Sequence, residues 1–245
     1  MTGLAALTER IVLSARLDLM FAVIAPVVGF IGVVLVLQNI IDTGGMSYAQ
    51  YVLPAIVVQA MLFGAMTTTD RAAHEQSSGF GLRLRTLPIA VMAPLTARML
   101  YCLIRGVLAL VAAVAIAYLF GFRLSGGLGY AAAFVVLPLV LTLALSLGAD
   151  ATGTVAKRVG NASQLLQIPQ LLLVLLSTGL APVDAFPGWV QPFVKYQPVS
   201  QVTDTLRNFA NGEVVTSNLV TSTAWCIGLL VVFGVLAVRM QRRTE

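Results

Sequence analysis

Six apolar stretches divide the chain, with polar or proline-containing segments between them. Leu19 to Ile41 carries no charged residue, and as a helix rising 1.5 Å per residue it extends about 35 Å. Crossing the hydrocarbon takes about 20 apolar residues. The further stretches, about 51–69, 97–120, 130–149, 164–181 and 219–238, are each near that length. The pattern predicts an all-α membrane protein with six transmembrane helices in one domain, 1–245. The first stretch is too long for a signal-peptide core, and no small-residue cleavage site follows it, so it is expected to be retained. Ahead of it, Leu4, Leu7 and Ile11 share one helical face while Glu9, Arg10 and Arg16 occupy other positions. That periodicity predicts an interfacial amphipathic helix over about 3–17.

Two connections are too long for simple turns. In the first, about 70–96, residues 71–76 are helix-compatible and Ser77-Ser78-Gly79 breaks the helix. Apolar Phe80, Leu82, Leu84, Leu87 and Ile89 then alternate with Arg83 and Arg85 up to Pro88, a composition suited to a protein surface or the headgroup layer. In the second, 182–212, four prolines cut the chain into short pieces, and Phe186, Trp189, Phe193 and Tyr196 supply aromatic mass of the kind found at membrane interfaces. After Ser200, read as an N-cap, Val202, Leu206 and Phe209 recur at helical spacing until Asn211-Gly212 stops them. A short amphipathic helix lying on or dipping into the outer leaflet is expected, making this connection re-entrant in character.

Composition agrees: 58% of residues are hydrophobic and 10% charged, against about 25% charged in a soluble domain. The basic residues set the orientation, because short loops rich in Lys and Arg stay cytoplasmic. With the N-terminus inside, Arg10, Arg16, Arg71, Arg83, Arg85, Arg98, Lys157, Arg158, Arg239, Arg242 and Arg243 face the cytosol, while only Arg123, Lys195 and Arg207 lie outside and Arg105 falls within span three. Both termini are therefore expected inside, and the net charge of +5 is a topology signal more than a nucleic-acid one. Cys102 and Cys226 sit within spans and have no paired spacing for a metal or disulfide framework, so they read as packing residues.

Catalytic chemistry finds little material. His74-Glu75 begins a zinc-protease motif, but the second histidine belongs at position 78, which is Ser78. A Walker loop needs Lys-Ser or Lys-Thr, and the two lysines precede Arg158 and Tyr196. Asn161-Ala162-Ser163 matches a glycosylation acceptor but falls on the cytosolic side. Polar residues inside spans are the functional candidates. Arg105 leads them; it is two helical turns beyond Arg98 on nearly the same face, so it either snorkels, pairs inside the bundle or meets substrate. Gln59, Gln167 and Gln170 are among the few other polar side chains in the spans. Such apolar walls suit a hydrophobic drug or a lipid better than an ionic solute.

The chain resembles the permease subunits of type-2 ABC exporters, particularly the daunorubicin-resistance-like branch. Glu75, Ser78-Gly79, Leu82-Arg83 and Leu87-Pro88 carry the likeness in the first connection. In the second it is carried by "STGLAPVDAFPGW", "YQPVS" and Leu206-Arg207. Gln197-Pro198 stands where the family commonly has Asn-Pro, and Ala73-His74-Glu75 where it often has Glu-Arg-Glu. The resemblance implies a half-transporter in the cytoplasmic membrane, paired with an identical or homologous second permease and with two copies of a separate ATP-binding subunit. It implies no cofactor in this chain, ATP and Mg being held by that partner. Glu75, Ser78, Gly79, Phe80, Leu82, Arg83 and Arg85 would then form the coupling segment seated on the ATPase, and Pro187, Trp189, Pro198, Leu206 and Arg207 an extracellular gate. Two other classes stay open on the residues alone. An ion-coupled carrier would show acidic residues deep in its spans, and an intramembrane lipid-modifying enzyme would show clustered carboxylates or histidines at one depth.

Overall fold

In the computed structural model, residues 15–38, 46–77, 92–155 and 161–243 are described. Helix α1 covers Arg16–Leu37, α2 Tyr48–Ser77, α3 Ala93–Leu119, α4 Gly127–Val155 and α5 Asn161–Leu175. A 3₁₀ turn, Val183–Ala185, and the short α6, Gln191–Tyr196, lead to α7, Pro198–Asn211, and then α8, Thr216–Arg243. Among the described residues, α1, α2, α3, α4 and α8 are long and apolar enough to cross a membrane. The stretch expected to supply another span, 164–181, gives only a 15-residue helix ending at Leu175. At about 22 Å it falls short of a hydrocarbon core of about 30 Å. Among the described residues the six expected spans thus correspond to five full-length helices and one that is too short to cross as a straight helix. The reason is local: beyond Leu175 the chain turns, the Ser177 hydroxyl donates to the Val174 carbonyl and accepts the Gly179 N–H, and Thr178 donates its N–H to Ser200 Oγ and its hydroxyl to Asp204.

Helix α2 is the axis of the bundle. It touches α1, α3, α4, α5 and α7, and Val52, Leu53, Val57, Val58 and Met61 along it are buried in a core shared with Phe30, Phe122, Phe134, Leu141 and Leu206. Helices α1 and α8 lie at the rim and turn Met20, Phe21, Val28, Val36, Ile227, Val231 and Val232 outward, an apolar surface matched to lipid chains. Pro26, Pro54, Pro138 and Pro169 sit inside helices. Spanning helices tolerate proline where neighbouring helices and side chains meet the freed backbone groups; one turn after Pro138, the Thr142 hydroxyl donates to the Pro138 carbonyl at 2.9 Å. Helices α2 and α4 approach so closely at Gly153 that a Cβ there would stand 2.4 Å from the Thr69 carbonyl oxygen.

Two boundaries differ from the sequence expectation. The second apolar stretch does not give way to a loop at residue 70: α2 continues to Ser77. Charge ends an apolar stretch but not a helix when partners on neighbouring helices neutralise it, as Asp18 does for Arg71. Helix α7 starts at Pro198 with Gln197, not Ser200, at its N-cap. Pro198 supplies a preset φ for the first helical position, and Ser200 lies fully buried inside the helix. Val202, Leu206 and Phe209 are buried in the bundle core. The stop is as expected, with Gly212 in the left-handed region at φ 76°. Most of the expected 3–17 interfacial helix lies outside the described residues, and its last positions, Arg16 and Leu17, already belong to α1.

Candidate functional site

Most of the interhelical ion pairs gather in a layer at one end of the bundle, where α1 and α3 begin and α2, α4 and α8 finish. Leu95 and Met99 of α3, Ala151 of α4 and Ala237 of α8 pack together there. Within the layer, Arg98 is the central cation. Its Nε donates to Asp150 Oδ1 at 2.5 Å and its Nη1 to Glu75, tying α3 to α4 and to the last turn of α2. Arg98 and Asp150 are 4% and 1% exposed, and among the described residues Nη2 of one and Oδ2 of the other meet no partner. A buried pair so incompletely hydrogen-bonded depends on its geometry, since removing either member strands the other charge. One face over, Asp18 in the first turn of α1 collects three donors: Tyr101 Oη, Arg71 Nη2 at 3.5 Å and Arg105 Nε at 3.3 Å. The Arg71 guanidinium also lies 4.3 Å above the Tyr101 ring, a cation–π contact.

The opposite end is held mostly by neutral groups. Gln197 Nε2 donates to the carbonyls of Leu173 and Leu176, the orphan acceptors at the end of α5, and to Ser200 Oγ. Ser200 Oγ in turn accepts from the Thr178 backbone N–H at 3.1 Å. Gln50 at the start of α2 accepts from the Arg123 N–H and donates to the Arg123 carbonyl and to Asn211, binding the α3–α4 connection to the end of α7. Arg207 donates to the carbonyls of Tyr51 and Thr178, pairs with Asp204 at 2.7 Å and stacks 3.9 Å over the Tyr51 ring. Burial pushes the Asp204 carboxyl above the ordinary carboxylate range, against the pull of Arg207 and the Thr178 hydroxyl.

Residues 37–239 match the family described as ABC-2 family transporter protein. The chain belongs to the ABC-2 transporter family. It is 29% identical over 229 residues, 90% of this chain and 80% of the relative, to the probable doxorubicin resistance ABC transporter permease protein DrrC of Mycobacterium tuberculosis. The identity is 33% over 172 residues, 70% of this chain and 60% of the relative, with the doxorubicin resistance permease protein DrrB of the same organism. With the daunorubicin resistance permease protein DrrB1 of Streptomyces coeruleorubidus it is 31% over 199 residues, 80% of this chain and 69% of the relative. This ABC-2 chain is accordingly a multi-pass permease subunit, and the ATPase of the transporter is a separate subunit.

The sequence-predicted residues distribute unevenly over this geometry. Glu75 stands on the last turns of α2 in the ion pair with Arg98, whereas Ser78, Gly79, Phe80, Leu82, Arg83 and Arg85 lie outside the described residues. His74 is exposed on the same helical turns. Of the outer residues, Pro187 accepts the Val190 N–H to begin a turn, Trp189 is 85% exposed, Pro198 opens α7, Leu206 is fully buried, and Arg207 is the hydrogen-bond hub just described. Arg105 pairs inside the bundle, and Gln59 lines the same pocket as it does. Gln170 is buried and Gln167 exposed on α5. Cys102 and Cys226 are both buried free thiols. Sequence reasoning missed Asp18, Tyr101, Gln50 and Gln197. The signal for Asp18 was present: one carboxylate in the first turn of an apolar stretch, with Arg98 and Arg105 on one face of another.

Proposed function

We propose that this chain is a permease half of an ATP-driven exporter in the cytoplasmic membrane, working with a second permease and two ATP-binding subunits that hold ATP and Mg. Both termini face the cytosol, and α5 with the turn after it makes the sixth crossing. The charged layer is then the inner end, in keeping with Arg16, Arg71, Arg98 and Arg239 collecting there. Stretch 78–91 seats on the ATPase through Arg83, Arg85, Phe80 and Leu82, and the 182–212 connection closes the outer end.

The observation that carries this mechanism is the ion-pair layer, because Glu75 and Arg98 stand on either side of stretch 78–91 and join each other and Asp150. A displacement of that stretch reaches α2, α3 and α4 together through these ion pairs. Free energy passes as differential contact in two states of the bundle. The cargo is a hydrophobic drug of the kind named for the relatives, or a lipid, since the span interiors are almost wholly apolar.

The test is transport of doxorubicin into inside-out membrane vesicles holding the chain and its co-purifying subunits. Uptake that needs ATP and survives an ionophore is expected; uptake that stops with the ionophore and ignores ATP overturns the reading in favour of an ion-coupled carrier. Replacing Arg83 and Arg85 together by alanine is expected to lower both ATPase recruitment to the membrane and export. Normal values of both would remove the coupling assignment.

A further inference from the structure

Arg98 and Arg105 sit two turns apart on α3, but their partners differ in a way that points to a ligand. Arg98 faces two carboxylates, Glu75 and Asp150. Arg105 shares one, Asp18, with Arg71 and Tyr101, through a single long contact of 3.3 Å from Nε. Its remaining guanidinium N–H groups meet no acceptor among the described residues, although the side chain is 8% exposed. Asp70, the nearest carboxylate in sequence to Arg71, makes no ion pair with either arginine among the described residues. Two arginines on this face thus share one paired carboxylate, Asp18, in surroundings where water is scarce and an unmatched charge is costly.

Arg105 lines a pocket of about 70 Å³ between α1, α2 and α3. Water needs about 10–15 Å³ of such volume, so the space takes a phosphate-sized group. Phe21, Ala25 and Gly29 of α1 and Gln59 and Phe63 of α2 form its walls. Phe21 and Phe63 are 65% and 46% exposed, so the pocket opens through the side of the bundle between apolar side chains. Depth also fits. Arg105 reaches back to Asp18 in the first turn of α1, which puts the guanidinium near the headgroup level, while Phe21 to Gly29 run inward for about 12 Å. Gly64 on α2 makes room for the guanidinium, since a Cβ there would stand 2.8 Å from Nη1.

We propose that this pocket binds the phosphate head of an anionic membrane lipid on Arg105, with a hydrocarbon chain lying over Gly29 between Phe21 and Phe63. The site is independent of what the transporter carries; an aminium cargo would be repelled from it. Bidentate guanidinium-to-phosphate bonding supplies the orientation, and the apolar groove excludes a bare ion.

The full chain, purified with its co-purifying subunits and placed in nanodiscs, is titrated with fluorescent phosphatidylglycerol and, separately, phosphatidylcholine. Tighter binding of the anionic lipid is expected, with no displacement by inorganic phosphate. Arg105→Gln is expected to lower the anionic preference by about tenfold, the loss of a charge-assisted bond. Gly29→Leu, whose Cβ meets nothing within 4 Å, is expected to weaken binding of the lipid without altering the circular dichroism or the melting temperature. Equal binding of both lipids by the unaltered chain, an undiminished preference in Arg105→Gln, or displacement by inorganic phosphate overturns the proposal.

Discussion

At the charged end of the bundle, side chains bond to side chains across helices: Arg98 to Glu75 and Asp150, Asp18 to Arg71, Arg105 and Tyr101. At the other end, side chains bond chiefly to backbone: Gln197 to the carbonyls that finish α5, Gln50 to both polar groups of Arg123, Arg207 to the carbonyls of Tyr51 and Thr178. The difference has a physical consequence. Bonds between charged tips fix the helices relative to one another but leave each backbone free to move with its partner. Bonds to backbone carbonyls fix a loop to a particular helix end, and give way only if that loop departs as a unit. The first arrangement suits an end that transmits motion, the second an end that opens or stays shut.

The comparison breaks most sharply at Arg98. Arg98→Ala leaves Asp150 buried without its cation, and an expected loss of about 3–5 kcal/mol follows, measurable as resistance to unfolding in detergent. Replacing Arg98 and Asp150 with leucine and Glu75 with glutamine together should recover most of it, because no charge is then stranded. If the triple variant is no more stable than Arg98→Ala, the layer is not held by charge balance. Gly153→Ala tests the packing beneath that layer; the new Cβ meets the Thr69 carbonyl, and overpacking of this kind costs about 1–3 kcal/mol.

At the opposite end, Gln197→Ala uncaps the carbonyls of Leu173 and Leu176, with an expected loss of about 1–3 kcal/mol, and faster proteolysis after residue 176 as the local signature. Gly212→Ala adds about 1–2 kcal/mol for a left-handed residue with a side chain, and also places a Cβ 2.8 Å from Gly126 Cα. The smallest effect concerns pH. Because the folded protein holds the Asp204 carboxyl above its ordinary range, the folded state binds the proton more tightly than the unfolded one. The contribution is therefore fully present below the unfolded carboxylate pKa and is lost as pH rises through the folded value. Asp204→Asn should flatten that part of the melting temperature's pH dependence; an unchanged slope would show that Asp204 does not produce it.

Hydrophobic run length located every long helix, because about 20 apolar residues have no other stable arrangement in a bilayer. It also found the stop at Gly212, where one residue type answers a local backbone need. It misplaced the end of α2 at residue 70, since Asp70 and Arg71 look like a loop until Asp18 and Tyr101 are seen beside them. It took Ser200 for a cap when the residue is buried and bonded to Thr178. It singled out Arg105 as the charge within the spans but could not see Asp18 as its counter-ion, 87 residues away.

What the amino-acid order determined by itself was what local transfer from water to lipid sets, the membrane class and the positions of the five long apolar helices, together with the family resemblance. Which charges neutralise which, that α7 packs into the core, and that Arg71 and Arg105 share one carboxylate were decided only by tertiary packing. Those outcomes depend on distances between residues far apart in the chain, and neither hydropathy nor spacing encodes such distances.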